Sequence, residues 1–154
     1  MHNVGIRCVT GGELDLSIDN SLEAMSAVKA EVDAFCQAHH IVAPIRRRLL
    51  VVVDELLNNS INYGCRHLGN QAVIRLQLVQ ANGHLDLEVR DNGTPPFNPL
   101  ESPPPELGED AESRQIGGLG IHLVRGLSSR FGYSYEDGWN VVRIAIDLSE
   151  NRLS

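Results

Sequence analysis

One stretch constrains the fold more than any other, residues 51–64 with the sequence VVVDELLNNSINYG. Stepping about 100° per residue around a helix places Asn58, Asn59 and Asn62 within roughly 60° of Glu55. Most apolar residues lie about 100° or more from Glu55, namely Val53, Leu56, Leu57 and Ile61, and Val52 lies between the two groups. The stretch therefore predicts an amphipathic helix with a core face next to a face of one carboxylate and three amides.

That polar face has two interpretations. Asparagine is a mediocre helix former because its side chain competes for backbone partners, so three asparagines aligned with a glutamate need a reason. A solvated surface is one explanation. The other is a site for a hydrated metal ion, because oxygen ligands suit Mg²⁺ and a nearby carboxylate can accept a proton. The helix alone does not decide between them.

The N-terminal part predicts a hairpin followed by two helices. Apolar residues alternate on both sides of Gly11-Gly12, which is typical of two antiparallel strands. Asn20 with Glu23 three residues later predicts a capping box at the start of the first helix, which should end between residues 38 and 40. Pro44 suits the first turn of the second helix, which should end near Gly64 as a C-cap.

The C-terminal half predicts two hairpins with a helix between them. Asn82-Gly83 and Asp137-Gly138 each separate runs of alternating apolar residues, which is a strong signal for a tight hairpin turn. Helical spacing returns at residues 116–130. No internal repeat is visible, so the pattern favours a single domain.

Regular spacing disappears between the second hairpin and the third helix. Residues 92–115 hold six of the seven prolines of the chain and several acids, so they cannot form a regular element. Glycines stand at both ends, Gly93 before the segment and Gly117-Gly118 after it. A loop this long in a compact domain is usually functional or disordered, and the flanking glycines favour a hinged lid.

Two short motifs flank this segment. Asp91 ends a strand, where a carboxylate can accept a hydrogen bond from an exocyclic amine such as that of adenine, and Gly93 lets the backbone approach a ligand closely. The glycines of Gly117-Gly118-x-Gly120 lead into a helix, and backbone N–H groups at a helix start can bind a phosphate. Each motif alone also fits an ordinary turn or loop.

The composition excludes several function classes. The net charge of −7 argues against a nucleic-acid-binding protein, which needs a basic surface. No apolar run reaches transmembrane length and the N-terminus lacks a signal-peptide pattern, so no membrane attachment is expected. Lys29 is the only lysine, and no P-loop glycine pattern precedes it. Three cysteines without CxxC spacing favour buried, reduced thiols in a cytoplasmic protein.

The order of these features carries a resemblance that covers nearly the whole chain. The Glu/Asn helix, the strand ending in DNG, the Pro-rich segment and the Gly-rich turn together resemble the GHKL, or Bergerat-fold, domain of DNA gyrase, the Hsp90 chaperone, sensor histidine kinases and MutL. The helix resembles the N box of that family, residues 91–97 (DNGTPPF) its adenine-binding G1 box, and residues 117–124 (GGLGIHLV) its G2 box.

This resemblance implies a fold and a domain organisation. The fold would be α+β, a two-layer α/β sandwich in which a mixed, mostly antiparallel sheet is covered on one face by about three helices. Residues 1–154 would form a single histidine-kinase-like ATPase domain with an ATP lid at residues 94–116.

Within that superfamily the chain is similar in particular to the bacterial anti-sigma-factor serine/threonine kinases. The phrases ELLNN, DNGTPPFNP and GGLGIHLVRGL carry this similarity. Sensor histidine kinases usually have Asn where Glu55 stands, and their phosphoacceptor helix pair is not found in this sequence. The transducer domain that follows in gyrase-like and MutL-like proteins is not found either.

The resemblance also implies a role for each matching residue. Glu55 would be the general base, Asn59 the Mg²⁺ ligand and Asp91 the adenine reader, while Asn58 and Asn62 would contact the nucleotide or the hydrated metal. The G1 and G2 boxes supply the other expected ATP-binding residues: Gly93, Pro95, Gly117, Gly118, Leu119, Gly120 and Ile121. The lid has no lysine to meet the γ-phosphate, and Arg114 could take that role.

The implied function is that of an ATP- and Mg²⁺-dependent protein serine/threonine kinase. It would bind a sigma factor and phosphorylate a small STAS-type anti-sigma-factor antagonist in a partner-switching pathway. Two alternatives stay open, a non-catalytic ATP-gated protein-binding regulator and a detached catalytic domain of a sensor histidine kinase. A homodimer that pairs through the N-terminal region is also expected, since an edge strand near residues 4–8 could pair.

Overall fold

The computed structural model describes residues 4–93, 96, 98 and 118–149, with the backbone alone at residues 4, 6–10, 22 and 118–121. The strands of this part are β1 (Val4–Thr10), β2 (Glu13–Ile18), β3 (Ile74–Ala81), β4 (His84–Asp91), β5 (Arg130–Glu136) and β6 (Trp139–Asp147). The helices are α1 (Leu22–Ala38), α2 (Ala43–Asn59) and α3 (Gly118–Leu127). A π-helical turn (Ser60–Gly64) continues α2, and a 3₁₀ helix (Gly69–Gln71) follows it.

A single sheet contains all six described strands in the order β1-β2-β3-β4-β6-β5. Each pair of neighbours is antiparallel, including β4 with β6, which are joined in the chain through α3 and β5. The register shifts between Ile6 and Cys8, which marks an irregularity in β1. The expected mostly antiparallel sheet is confirmed, and among the described strands no pair is parallel.

The sheet buries one face against the helices. Burial alternates along β2, β3 and β4 because successive side chains of a strand point to opposite faces. Leu16, Leu76 and Leu87 belong to the buried set, which forms one cluster with the apolar sides of α1, α2 and α3. The other face presents charged side chains such as Asp86 and Arg143. The predicted two-layer α+β sandwich, covered on one face by three helices, is therefore confirmed.

The start of α1 differs from the prediction by one residue. Ser21 is the N-cap, and its hydroxyl accepts a hydrogen bond from the backbone N–H of Ala24 at 3.3 Å. The Asn20 side chain, predicted as the cap, turns away and donates to the backbone carbonyl of Cys65 at 3.4 Å. Asn20 therefore connects the start of α1 to the end of the π-helical turn instead of capping its own helix.

The two predicted hairpin turns are present. Asn82 and Gly83 have φ angles of 53° and 78°, and Asp137 and Gly138 have φ angles of 50° and 85°. Two consecutive residues with positive φ form the type I′ turn, whose twist matches that of the flanking antiparallel strands.

The third helix ends earlier than predicted. The spacing predicted residues 116–130, but the helix ends at Leu127 and β5 already begins at Arg130. The Ser128 hydroxyl donates to the carbonyl of Val124 at 2.6 Å, and the backbone N–H of Ser129 donates to the carbonyl of Ala145 on β6 at 2.8 Å. These two serines end the helix and turn the chain into the sheet, an effect that hydrophobic spacing does not reveal.

Cys36 and Cys65 are buried free thiols, as predicted for these two cysteines. Burial raises the pKa of Cys36 to about 11 and that of Cys65 to about 12, so both side chains behave as small apolar groups. The described part of the chain contains no helix that is both long and apolar enough to cross a membrane.

Candidate active site

The carboxylate of Asp91, at the end of β4, is the centre of the candidate site. Asp91 is buried, and its Oδ1 accepts hydrogen bonds from the backbone N–H of Gly93 at 2.9 Å and from Nδ2 of Asn140 at 2.9 Å. Its Oδ2 accepts from the hydroxyl of Ser60 at 2.8 Å. These charge-assisted bonds hold a buried carboxylate in one orientation.

A residue of the edge strand β5 holds Asn140 in place. Asn140 is buried and lies opposite Asp91 in the register of β4 and β6. Its Nδ2 also donates to the backbone carbonyl of Gly93 at 3.1 Å, and its Oδ1 accepts from the Tyr133 hydroxyl of β5 at 2.6 Å. A continuous network therefore runs from β5 through β6 and β4 to the end of α2.

Two glycines allow the end of α2 and the strand end to approach so closely. A Cβ on Gly64 would lie 2.8 Å from Oδ2 of Asp91, and a Cβ on Gly93 would lie 1.8 Å from the carbonyl oxygen of Gly64. Gly64 was predicted as a C-cap, yet the cap is Cys65, and Gly64 is not among the residues with positive φ. Glycine is required at position 64 because a side chain would clash with the Asp91 carboxylate, and not because the backbone is left-handed.

A small cavity of about 20 Å³ lies beside this network. It is lined by Leu56, Asn59, Ser60, Val89, Asp91, Asn140 and Val142. The volume has room for about one water molecule. Nδ2 of Asn59 is buried and has no hydrogen-bond partner among the described residues. An orphaned buried amide is costly unless a ligand or a water satisfies it, so this cavity is built to receive a polar group.

Glu55 lies one helical turn before Asn59 on α2. It is half-buried, and burial raises its pKa, with the negative charge of Asp54 raising it further. Asp54 is paired with Lys29 of α1, with 3.1 Å between Nζ and Oδ1. A carboxylate with a raised pKa is a better proton acceptor, which is the chemistry that a general base needs.

The other two predicted residues of the polar face do not line the cavity. Asn58 is half-buried and Asn62 is exposed. For Asn62 the physical reason is the change from α-helix to π-helix after Asn59, because residues 60–64 no longer advance by 100° each. The functional roles of Asn58 and Asn62 stay predictions.

The Gly-rich turn meets the start of α3. Within the described residues α3 covers Gly118–Leu127, and Leu119, Gly120 and Ile121 lie in the first turn of this described part. Gly117 and Pro95 lie outside the described residues, as does the expected lid at 94–116 apart from Pro96 and Asn98. Arg114, the suggested γ-phosphate contact, lies outside them too.

The sequence interpretation missed Ser60 and Asn140. Ser60 directly follows the asparagine pair, and it appeared to be an ordinary helix residue. Asn140 follows the last hairpin turn, where a polar residue attracts no attention. Their partner Asp91 is 31 residues from Ser60 and 49 residues from Asn140 in the chain, so only the folded sheet brings them together.

A larger groove, of about 440 Å³, crosses the opposite face of the sheet. Ion pairs occupy its rim, with Arg143 at 3.0 Å from both Glu88 and Glu136. Arg143 and Glu136 are about half exposed, and the three charges pair with one another, which is typical of a solvated sheet face.

Comparison with known proteins agrees with this geometry. The sequence profile of the family described as the histidine kinase-like ATPase domain matches residues 18–146, which include every residue of the network around Asp91. The chain belongs to this family. Membership of an ATPase-domain family implies that the chain binds ATP, and the predicted GHKL resemblance is confirmed.

Two groups of curated serine kinases are similar to the chain. The serine/threonine-protein kinase BtrW of Bordetella bronchiseptica is 30% identical over 127 residues, which cover 79% of this chain and 88% of BtrW. The serine-protein kinase RsbW of Listeria monocytogenes serotype 4a is 32% identical over 97 residues, which cover 61% of each protein. The chain therefore spans less than two thirds of this RsbW.

Solved structures share the fold. The RsbU and RsbW domains of Rv1364c from Mycobacterium tuberculosis match with a TM-score of 0.65 at 14% identity, covering 92% of this chain and 33% of that one. The blue-light activated histidine kinase of Erythrobacter litoralis EL346 matches with a TM-score of 0.54 at 16% identity, covering 87% and 43%. At these identities the likeness concerns the fold alone.

Proposed function

We propose that this protein is an ATP-dependent protein serine/threonine kinase of the anti-sigma-factor type. It binds a sigma factor, and it phosphorylates a serine or threonine of a small STAS-type antagonist in a partner-switching pathway. The observation that carries the proposal is the position of Glu55, a half-buried carboxylate with a raised pKa, one helical turn before the orphaned amide of Asn59. The similarity to BtrW and RsbW, both named as serine kinases, supports it.

The residues present fit a nucleotide with its metal ion. Asp91 would bind the adenine amine, and Gly93 would allow the base to lie against the backbone. Gly118 and Gly120 would offer backbone N–H groups to the phosphates. Asn59 would be the protein ligand of Mg²⁺, which usually keeps most of its ligands as water and phosphate oxygens. The bound ion would neutralise charge on the phosphates during transfer.

Glu55 would accept the proton from the attacking hydroxyl of the substrate. Phosphoryl transfer demands positioning, charge neutralisation and a base, and little more from the protein. Partial burial, together with the charge of Asp54, raises the pKa of the Glu55 carboxyl, so it holds a proton more readily once it has removed one.

The proposal extends to assembly and location. The protein acts in the cytoplasm, and it forms a homodimer through its N-terminal region, where β1 is an edge strand among the described strands of the sheet. Light scattering at micromolar concentration would give the mass of a dimer. A monomer mass would contradict this part of the proposal and leave the kinase assignment intact.

The kinase assignment is tested with tagged wild type and Glu55→Gln as baits in lysate of the source organism with Mg·ATP. Mass spectrometry then identifies the captured proteins and their phosphosites. Wild type should add phosphate to a serine or threonine of a small captured protein, and Glu55→Gln should not. Glu31→Gln on α1 is the matched control and should transfer phosphate like wild type.

The outcomes separate the alternatives. Equal transfer by wild type and Glu55→Gln would refute the assigned base. Nucleotide-dependent capture of a partner without any added phosphate would identify an ATP-gated binding module. Acid-labile phosphate on histidine would identify a sensor-kinase catalytic domain.

A further inference from the structure

The side chain of Asn140 uses both of its N–H donors inside the protein. Its two Nδ2 hydrogens go to Oδ1 of Asp91 at 2.9 Å and to the carbonyl of Gly93 at 3.1 Å. Its Oδ1 accepts from the Tyr133 hydroxyl at 2.6 Å. A flipped amide would place its oxygen against the carboxylate and the carbonyl, so only one orientation is stable. Asn140 therefore has no N–H left to donate to a ligand.

The two carboxylate oxygens of Asp91 consequently differ. Each oxygen of a carboxylate can accept about two hydrogen bonds. Oδ1 already accepts two, from the Gly93 N–H and from Asn140, and is saturated. Among the described residues Oδ2 accepts one, from Ser60, and retains one acceptor position. Asp91 can thus accept one hydrogen bond from a ligand, through Oδ2.

A single acceptor distinguishes the two purines. Adenine presents one donor group on its Watson–Crick edge, the exocyclic amine, and one N–H can satisfy one oxygen. Guanine presents two adjacent donors, the ring N1–H and the exocyclic amine, which pair best with both oxygens of a carboxylate. A carboxylate with both oxygens open would therefore bind guanine through two bonds, whereas Asp91 with Oδ1 saturated leaves one guanine donor unpaired.

We propose that Asn140 and Tyr133 are positioning residues that saturate one oxygen of Asp91 and thereby exclude guanine nucleotides from the site. The inference rests on the proposed function, because it takes Asp91 as the base reader. Asn140 acts directly on Oδ1, and Tyr133 acts through Asn140 by fixing the orientation of its amide. Neither residue touches the base.

The test measures the dissociation constants of Mg·ATP and Mg·GTP by calorimetry for wild type, Asn140→Ala and Tyr133→Phe. Asn140→Ala opens one acceptor position on Oδ1, so the preference for ATP over GTP should fall roughly tenfold, as expected when guanine gains the second of two paired contacts. Tyr133→Phe should lower the preference less, because Asn140 keeps its bonds but loses its anchor. Tyr135→Phe on the same strand is the matched control, and its preference should equal that of wild type.

The preference is a ratio, so a general loss of stability or of nucleotide affinity does not change it. An unchanged ratio in both Asn140→Ala and Tyr133→Phe would overturn the inference and leave the proposed function standing. Equal affinity of wild type for ATP and GTP would do the same. If Asn140→Ala did not fold, Tyr133→Phe would decide, because it removes one hydroxyl at a half-buried position. Wild type that bound neither nucleotide would overturn the proposed function and the inference together.

Discussion

Gly93 and Gly64 lie so close together that neither position has room for a side chain. The site of a Cβ on Gly93 is 1.8 Å from a backbone oxygen, which cannot move without shifting the end of α2. The site of a Cβ on Gly64 faces the Asp91 carboxylate, which other hydrogen bonds hold in place. The two glycines therefore set the distance between the helix end and the strand end, and with it the shape of the site.

We expect Gly93→Ala to destabilise the protein by more than about 3 kcal/mol, because overpacking against fixed backbone exceeds the usual cost of a misfitting methyl group. Gly126→Ala is the matched control. A Cβ at Gly126 of α3 meets nothing within 4 Å, and alanine favours a helix by roughly 0.5–1 kcal/mol over glycine. Urea unfolding of the two variants checks the contrast, and equal stabilities would show that the close approach does not matter.

The pKa of Glu55 leads to a prediction about pH. Burial raises this pKa most and the charge of Asp54 raises it further, so Asp54→Asn should lower it. Glu55 would stay deprotonated to lower pH. The acidic limb of the pH–rate profile of phosphate transfer should therefore move to lower pH in Asp54→Asn.

Asp86→Asn provides the control for that profile, because Asp86 lies on the solvent face of the sheet, on the far side from α2. Its acidic limb should coincide with that of wild type. A limb that did not move in Asp54→Asn would mean that another group limits the rate.

The residue scale also shows what sequence could reveal about the site. Glu55, Asn59 and Asp91 belong to local patterns, a helix face and a strand end, so their types and spacing identified them. Ser60 and Asn140 contribute through contacts with a residue far away in the chain, and no local pattern records such a contact. Short-range periodicity therefore identifies the candidate ligand-binding residues more readily than the residues that fix their side chains in place.

At the scale of elements, the end of α2 departs from regular geometry where the site begins. The predicted helix reached Gly64, and the structure ends the α-helix at Asn59 and adds one π-helical turn. Such turns frequently lie at functional sites. Here the wider turn buries Ser60 against Asp91 and leaves Asn62 exposed, an arrangement that a strict 100° step does not produce.

Packing, and not surface charge, should hold α1 and α2 together. Lys29 and Asp54 connect the helices but are about 40% exposed, so Lys29→Ala should cost less than about 1 kcal/mol. Leu49 of α2 is completely buried, and Leu49→Ala should cost about 2–5 kcal/mol from lost burial and the cavity left behind. Chemical denaturation of both variants gives the comparison, and a larger loss for Lys29→Ala would contradict it.

The elements themselves were largely predictable. Hydrophobic period and turn residues located the helices and both type I′ turns, because these depend on local propensities. The errors lie at element ends, where side chains choose between neighbouring partners. Ser21 caps α1, because the side chain of Asn20 donates to the carbonyl of Cys65 after the π-helical turn. Further along the chain, the hydrogen bond from Ser128 to Val124 ends α3 before the predicted residue.

For the whole molecule, the two faces of the sheet differ in composition and in role. One face forms the core with the three helices and carries the site at the end of β4, while the described part of the other face is mostly polar and carries ion pairs. Substitutions of exposed charged residues on that solvent face should therefore change stability and solubility little and leave nucleotide binding unchanged.

Nucleotide binding should be visible in global stability. Because a ligand that binds only the folded state stabilises it, Mg·ATP at about 100 times its dissociation constant should add roughly 2.7 kcal/mol to the free energy of unfolding. Removing the metal ion with EDTA should reduce this gain in wild type. Asn59→Ala should show a smaller gain that EDTA hardly changes, because the proposed metal ligand is gone.

Thermal or urea unfolding with and without EDTA checks this. Glu31→Gln on α1 is the control, since Glu31 does not line the cavity, and it should retain the EDTA effect. An EDTA effect of equal size in Asn59→Ala would rule out Asn59 as the metal ligand.

The position of Trp139 has a practical consequence. It is the only tryptophan of the chain, it begins β6, and its ring lies under the guanidinium of Arg75 at 5.2 Å. One peptide bond separates it from Asn140, on the opposite face of the same strand. Its fluorescence comes from one known place next to the network around Asp91. The protein thus contains a built-in optical probe, and titrations can follow the site without any attached label.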